Sequence, residues 1–307
     1  MNTEALEQFA AVAKAGSITK AAYALGISQP AVSRTILSLE NEFGFMLFDR
    51  IGKYLHLNAQ GEIVYKHISD VLENYNELYA LLSDMNDLPK VEANVGLSFS
   101  GNSPPWLVEI MLWFIENYPD VKLRFQQMDP SQLIDSLLSH EIDFGISSLK
   151  IEKPNVKWAD LFSEEMGIML SVSHPLVKKD ILSLTDLKDE QFLLYSHNSD
   201  LKHFTIDMCE RVGFYPQIKV DIDTPELIGE IVSKTQGVSF ISRNQYYYLK
   251  EQNQYYFEKG LTFRQISQDY CMRTCSLCVL DNHYIRKLTR VYINYIFEKF
   301  GLQGPFS

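Results

Sequence analysis

The chain has 307 residues, 46% of them apolar, which is more than one compact domain usually holds and ample for packed cores. Its formal net charge of −11 argues against a protein that coats nucleic acid by bulk electrostatics. No uninterrupted run of about eighteen apolar residues marks a membrane helix. The first ten residues carry Glu4 and Glu7 and do not read as a secretory signal, so a cytoplasmic protein with no membrane partner is expected. Cys209, Cys271, Cys275 and Cys278 all fall in the C-terminal third, unlike the framework of a disulfide-stapled secreted domain.

Within residues 1–58, Lys14, Lys20, Arg34, Arg50 and Lys53 are balanced by Glu4, Glu7, Glu40, Glu42 and Asp49. This segment is neutral while the rest is acidic, so any DNA affinity must come from arrangement and from more than one copy of the head.

In chain order, the first predicted helix spans 4–15, with Leu6, Phe9, Val12 and Ala13 on one face and Gly16 at its end. Ser17 caps a second helix that buries Ala21, Ala22 and Leu25 and stops at Gly26. Ser28 caps a third, with Pro30 in its first turn, where the missing N–H costs little. That helix turns Ala31, Val32, Ile36, Leu39 and Phe43 inward and ends at Gly44. Short helices joined by a tight turn make a helix-turn-helix. The alternating segment 54–57 reads as a β-wing.

Asn58 caps a long helix over 59–88. Val64, Ile68, Val71, Tyr75, Leu78, Leu82 and Met85 recur at alternating steps of four and three, a heptad seam that predicts a dimer through this helix.

From Val91 onward strands and helices alternate. Strands are expected at 94–99, 122–127 and 144–147, with helices at 105–118 and 131–139. A second series has strands near 167–172, 192–195, 218–222 and 238–241, with helices near 201–212 and 225–234. The alternation implies α/β units with a mostly parallel sheet, in two subdomains with a cleft between them.

Gly16-Ser17-Ile18-Thr19-Lys20-Ala21-Ala22, the run from Leu25 to Ser33, Leu39-Glu40, Phe43-Gly44 and Leu47-Phe48-Asp49-Arg50 together resemble the LysR-type transcriptional regulators. The likeness continues through Trp106-Leu107 to Phe114, Tyr118-Pro119-Asp120-Val121, Glu141 to Ile146 and His174-Pro175-Leu176. It implies an N-terminal winged helix-turn-helix over 1–58, a linker and dimerisation helix over 59–89 and an effector-binding domain over 90–307. That domain would resemble periplasmic binding proteins, with subdomain I at about 91–161 and 267–303 and subdomain II at about 162–266. It also implies promoter DNA and a small-molecule effector as partners, and a homo-oligomer that is commonly a tetramer. The chain departs from the family where Asn58 replaces a common Thr, Thr235 a glycine and Ser242 a proline.

The third helix is the one to enter the major groove. Gln29 can bond adenine in two places, Arg34 can bond guanine O6 and N7, Ser33 can bond either, and Pro30 can touch a thymine methyl. Thr19, Ser28 and Ser38 suit phosphates. Lys53 suits the flanking minor groove. Arg50 reads equally as a DNA contact or a structural ion pair.

Open α/β sheets bind ligands beyond the carboxyl ends of their strands. The expected effector contacts are therefore Ser100, Gly101, Asn102 and Ser103, ahead of a helix N-terminus that favours an anion. Met128, Ser147 and its neighbour Ser148, Ser196, His197 and Thr224 stand at comparable strand ends, with His197 also readable as a plain loop residue.

Among enzyme readings, Cys271-x3-Cys275-x2-Cys278 has the spacing of an iron–sulfur motif. The last two cysteines would, however, point to opposite faces of a strand over 275–280. A thiol sensor would need a partner for Cys209, which has none nearby in sequence. A pure ligand-binding protein with a vestigial head is the remaining alternative. No Ser–His–Asp, metal-ligand or phosphate-loop constellation stands out, and no cofactor or catalytic activity is expected.

Overall fold

The computed structural model describes residues 2–51, 54–85, 92–98, 104–195, 200–222, 225–251, 260–281 and 283–306. It divides into two compact units, Met1–Leu88 and Pro89–Ser307.

The first unit is α1 (Thr3–Ala15), α2 (Ile18–Leu25), α3 (Gln29–Phe43), an antiparallel hairpin of β1 (Phe48–Ile51) and β2 (Tyr54–Leu57), and α4 (Ala59–Met85). Gly16, Gly26 and Gly44 all take the left-handed conformation that ends α1, α2 and α3. The core joins Phe9, Val12, Val32, Ile36 and Leu39 to Leu47 and Phe48 of the wing and Ile68 of α4. Glu40 is buried here because its carboxylate accepts the Leu47 amide at 2.8 Å, which ties the end of α3 to the wing.

Asn58 performs the expected cap, accepting from the Gly61 amide at 2.8 Å, and it also donates to the Met46 carbonyl at 2.8 Å. A threonine hydroxyl would have to make both bonds through one oxygen. At Gly61 the first turn of α4 lies against the wing so closely that a β-carbon would come within 2.0 Å of the Leu47 carbonyl oxygen.

The heptad seam divides along α4. Ile68 is buried and Val64 half-buried against the head's own core. Val71, Tyr75, Leu78 (51% exposed), Leu82 and Met85 (77%) are exposed on the single chain.

The second unit contains β3 (Glu92–Ser98), α5 (Pro105–Asn117), β4 (Lys122–Gln127), α6 (Pro130–Leu138), β5 (Phe144–Ser147) and β6 (Val156–Ser171). These are followed by β7 (Ile181–Leu182), β8 (Gln191–Tyr195), α7 (Asp200–Arg211), β9 (Gln217–Ile222), α8 (Pro225–Lys234) and β10 (Ser239–Ser242). The unit closes with α9 (Arg243–Glu251), β11 (Leu261–Ile266), β12 (Met272–Leu280) and α10 (Lys287–Lys299). The strand order is β4-β3-β5-β12-β6-β11-β7, with β10 also paired to β6 and β8-β9 forming a separate pair.

The expectation of a mostly parallel sheet is corrected. β4, β3 and β5 are parallel, as are β8–β9 and β11–β7, but β5–β12, β12–β6, β6–β10 and β6–β11 are antiparallel. The cause is β6, a single strand that serves both halves. Residues 156–165 pair with β12, and residues 166–171 pair with β10 and β11. The chain enters the second half along β6 and returns through β11 and β12, so both crossover strands run against their neighbours.

The first half is packed by α5 and α10 over the sheet, where Trp113 stacks on Tyr295 at 3.7 Å and Phe114 meets Tyr292 at 4.3 Å. In the second half, His174 is buried. Its Nδ1 accepts from the Leu176 amide at 3.1 Å, which makes Nε2 the donor to the Gln236 carbonyl, also at 3.1 Å.

Candidate functional site

In the first unit, α3 separates into two faces. Val32, Ile36 and Leu39 are in the core, whereas Gln29, Pro30, Arg34 and Ser38 are exposed and Ser33 is half-exposed. Arg34 folds back in part, its Nε donating to the Pro30 carbonyl at 3.3 Å. Ser28 occupies the N-cap position with an extended backbone, but its hydroxyl makes no capping bond, which corrects the expected cap. Pro30 removes the N–H of that first turn and Ala31 donates to the Ser28 carbonyl, so the helix start is held by backbone. Thr19 is exposed on α2.

Lys53 lies outside the described residues, as does the side chain of Arg50. Leu37 was missed by the sequence reading. It is exposed one turn beyond Ser33 and Arg34 on the same face, and an apolar residue off the helix's buried stripe was the available signal.

In the second unit a cavity of about 140 Å³ opens between the halves. Trp106 at the start of α5, Ser148 after β5, and Phe162, Glu164, Arg273 and Cys275 on the crossover strands line one part. Ser242, Asn244, Gln245 and Tyr248, at the start of α9, line the other. The Ser242 hydroxyl accepts from the Gln245 amide at 3.2 Å, a cap for α9 that a proline there would not supply.

The floor of the cleft is a buried ion cluster. Arg273 donates to Glu164 through Nη2 at 2.5 Å and Nε at 3.0 Å, and Nη1 reaches Asp200 at 3.3 Å. The two carboxylates, with the hydrogen bonds to Glu164, favour the charged guanidinium. Its pKa is raised even though burial, the largest single influence, opposes that. Asp200 lies in the first turn of α7, where the helix dipole favours a carboxylate.

Of the expected effector contacts, Ser100, Gly101, Asn102, Ser103, Ser196, His197 and Thr224 lie outside the described residues. Ser147 is fully buried. Its hydroxyl donates to the Leu149 carbonyl at 2.9 Å and accepts the Leu149 amide at 3.0 Å, so it shapes the turn and the next residue, Ser148, lines the cleft. Met128 packs with Leu133, Ile134 and Ile142 under α6 and is not part of the lining. The crossover pair Glu164 and Arg273 was not foreseen. β6 carries Lys157, Asp160 and Glu165 as well as Glu164, so no local signal marked which of its charges would turn inward to meet Arg273.

All four cysteines are buried and free. Cys275 and Cys278 belong to different cores on opposite sides of β12. Among the described residues no group of three or more His, Cys, Asp or Glu side chains could hold a metal. Cys209 does have a spatial neighbour, Cys271, in the same apolar cluster. Burial pushes both thiols up to about 12, which suits packing rather than thiolate chemistry. No helix among the described residues is long and apolar enough to cross a membrane.

A helix-turn-helix with a wing, joined through a long helix to a two-halved α/β body with a cleft, defines a transcription regulator with separate DNA-reading and ligand-binding parts. The profile described as "Bacterial regulatory helix-turn-helix protein, lysR family" matches residues 3–62, and "LysR substrate binding domain" matches residues 94–301. The chain belongs to the LysR family of transcriptional regulators, a non-enzymatic family.

It is 26% identical over 307 residues to the Bacillus subtilis uncharacterized HTH-type transcriptional regulator YybE, covering 98% of this chain and 100% of that one. It is 27% identical over 246 residues to BenM of Acinetobacter baylyi, covering 78% and 80%. Among solved structures, a full-length OxyR variant from Pseudomonas aeruginosa superposes with a TM-score of 0.70 at 20% identity, covering 99% and 95%. Full-length CbnR in complex with its target DNA gives 0.53 at 18% identity, covering 98% and 100%. At these identities the structural likeness speaks for the fold.

Proposed function

We propose that this regulator binds promoter DNA as an oligomer and that a small molecule held between the two halves of its body tunes that binding. The observation that carries the reading is the exposed face of α3. Gln29, Ser33 and Arg34 are set to meet base edges, and Pro30 and Leu37 to meet thymine methyls. Thr19, Ser28 and Ser38 stand at the margins and take phosphates; the Ser28 hydroxyl is not spent on a cap.

A neutral head gains affinity by being doubled. The exposed seam from Val71 to Met85 would be covered by the same helix of a second copy, and dimers of this kind can pair again into tetramers. The small molecule occupies the cleft lined by Trp106, Phe162, Asn244, Gln245 and Tyr248. It acts by binding one angle between the halves better than another, which the oligomer converts into a change in the spacing of its heads.

DNase I footprinting of the full-length protein on DNA flanking its own gene tests this. The expected footprint holds two half-sites about one helical turn, or a multiple of it, apart. A featureless pattern on every flanking fragment, with and without cell extract metabolites, would sink the proposal.

A further inference from the structure

The basic and acidic side chains of residues 1–58 balance, so the head's hold on a polyanion depends on where the two signs fall. Glu4 and Glu7 lie on α1, Glu40 and Glu42 on the last turn of α3, and Asp49 on the wing. The helix α2 carries no acidic residue, and its one charge is Lys20.

This helix buries Ala21 and Ala22 and turns Thr19, Lys20 and Tyr23 outward. Thr19 and Tyr23 are four residues apart and Lys20 and Tyr23 three, so the three side chains share one face about 6 Å long. A hydroxyl, an ammonium and a phenol stand there, each able to donate. Among the described residues none of the three side chains has an ion pair or hydrogen bond within the chain.

Tyr23 is 90% exposed, more than any other large hydrophobic side chain among the described residues. A solvated lysine is ordinary, but a tyrosine usually keeps its ring against the protein and only its tip in water. Both the ring and the hydroxyl of Tyr23 are unspent in the single chain.

In a helix-turn-helix, the helix ahead of the recognition helix crosses the DNA backbone. With α3 in the major groove, the outward face of α2 meets the phosphates that flank it. Phosphate oxygens accept from lysine and tyrosine side chains, and such contacts fix register without reading sequence.

We propose that Lys20 and Tyr23 join Thr19 in a grip on the DNA backbone from which the neutral head gains its affinity. Lys20 neutralises a phosphate and releases a counterion, and the Tyr23 hydroxyl donates to a phosphate oxygen. This rests on the reading that α3 enters the major groove.

The test is fluorescence anisotropy of the full-length wild type, Lys20→Gln and Tyr23→Phe across a salt series, on the fragment flanking the protein's own gene and on an unrelated fragment. Lys20→Gln should make the plot of log affinity against log salt shallower by about one per bound head, on both fragments alike. Tyr23→Phe should bind about three- to tenfold more weakly per bound head at every salt, with the slope and the preference between fragments unchanged. Both side chains are exposed, so the melting temperatures should match that of the wild type. An unchanged slope in Lys20→Gln overturns the lysine contact, and wild-type affinity in Tyr23→Phe overturns the hydroxyl contact. A shifted preference between fragments in either variant would place α2 at base edges and overturn the backbone grip. If the wild type favours neither fragment, sequence reading by α3 fails, while the same two losses would still uphold the grip. No binding to either fragment overturns both.

Discussion

Arg273 on β12 faces Glu164 across the β6–β12 pairing, and the 2.5 Å contact between them closes the point where the chain passes from one half of the body to the other. Because Asp200 of α7 joins the same guanidinium, one side chain fastens both crossover strands to a helix of the second half. Arg273→Ala would leave two buried carboxylates facing each other and should cost about 3–5 kcal/mol. A urea titration reads this as an earlier unfolding midpoint for the body. Replacing all three at once, as Arg273→Met with Glu164→Gln and Asp200→Asn, should recover most of the loss.

Gly61→Ala places a methyl within 2.0 Å of the Leu47 carbonyl, a backbone atom that Asn58 N–H also uses at 3.0 Å. Neither can shift without parting the wing from α4. The expected result is a head destabilised by at least about 1–3 kcal/mol and a matching loss of DNA binding. Circular dichroism melts and anisotropy check the two together.

Leu78→Lys with Leu82→Lys puts charge on the exposed half of the α4 seam, away from the head's core. Light scattering should report a smaller assembly with unchanged secondary structure. Affinity for the flanking DNA should fall at least about tenfold, because two linked heads no longer act together.

Burial pushes the thiols of Cys209 and Cys271 from 9.0 to about 12, so the folded state favours their neutral form. Stability from this source is fully present below pH 9.0 and is lost as pH rises toward 12. The melting temperature should drop across that window, and Cys209→Ala with Cys271→Ala should flatten the drop. At neutral pH, a thiol reagent should label the native protein far more slowly than the unfolded one.

The head was legible because its punctuation is local. Gly16, Gly26 and Gly44 end helices in any context that needs a left-handed residue, and the seam is a period along one helix. Ser28 was the exception, since a cap-forming residue type does not fix where its hydroxyl points. The body was legible as alternating α/β units but not in strand direction. Nothing local in Val156–Ser171 says that one strand changes partners midway. The cleft was harder still. Glu164, Asp200 and Arg273 are far apart in sequence, and pairing between such charges is a tertiary fact. Ser147 and Ser148 illustrate the limit at the scale of one residue: both stand at the expected strand end, but the Ser147 hydroxyl closes on Leu149 and Ser148 alone of the two lines the cavity.

The central claim is that α3 reads sequence, and the most direct test is fluorescence anisotropy of wild type and Arg34→Ala across a salt series. The DNA would be the fragment flanking the protein's own gene, single-base variants of it, and an unrelated fragment. Arg34→Ala should lose about 1–3 kcal/mol of discrimination at one base pair of each half-site, with nonspecific binding and its salt slope nearly unchanged. Equal binding to all fragments by both proteins would contradict the account.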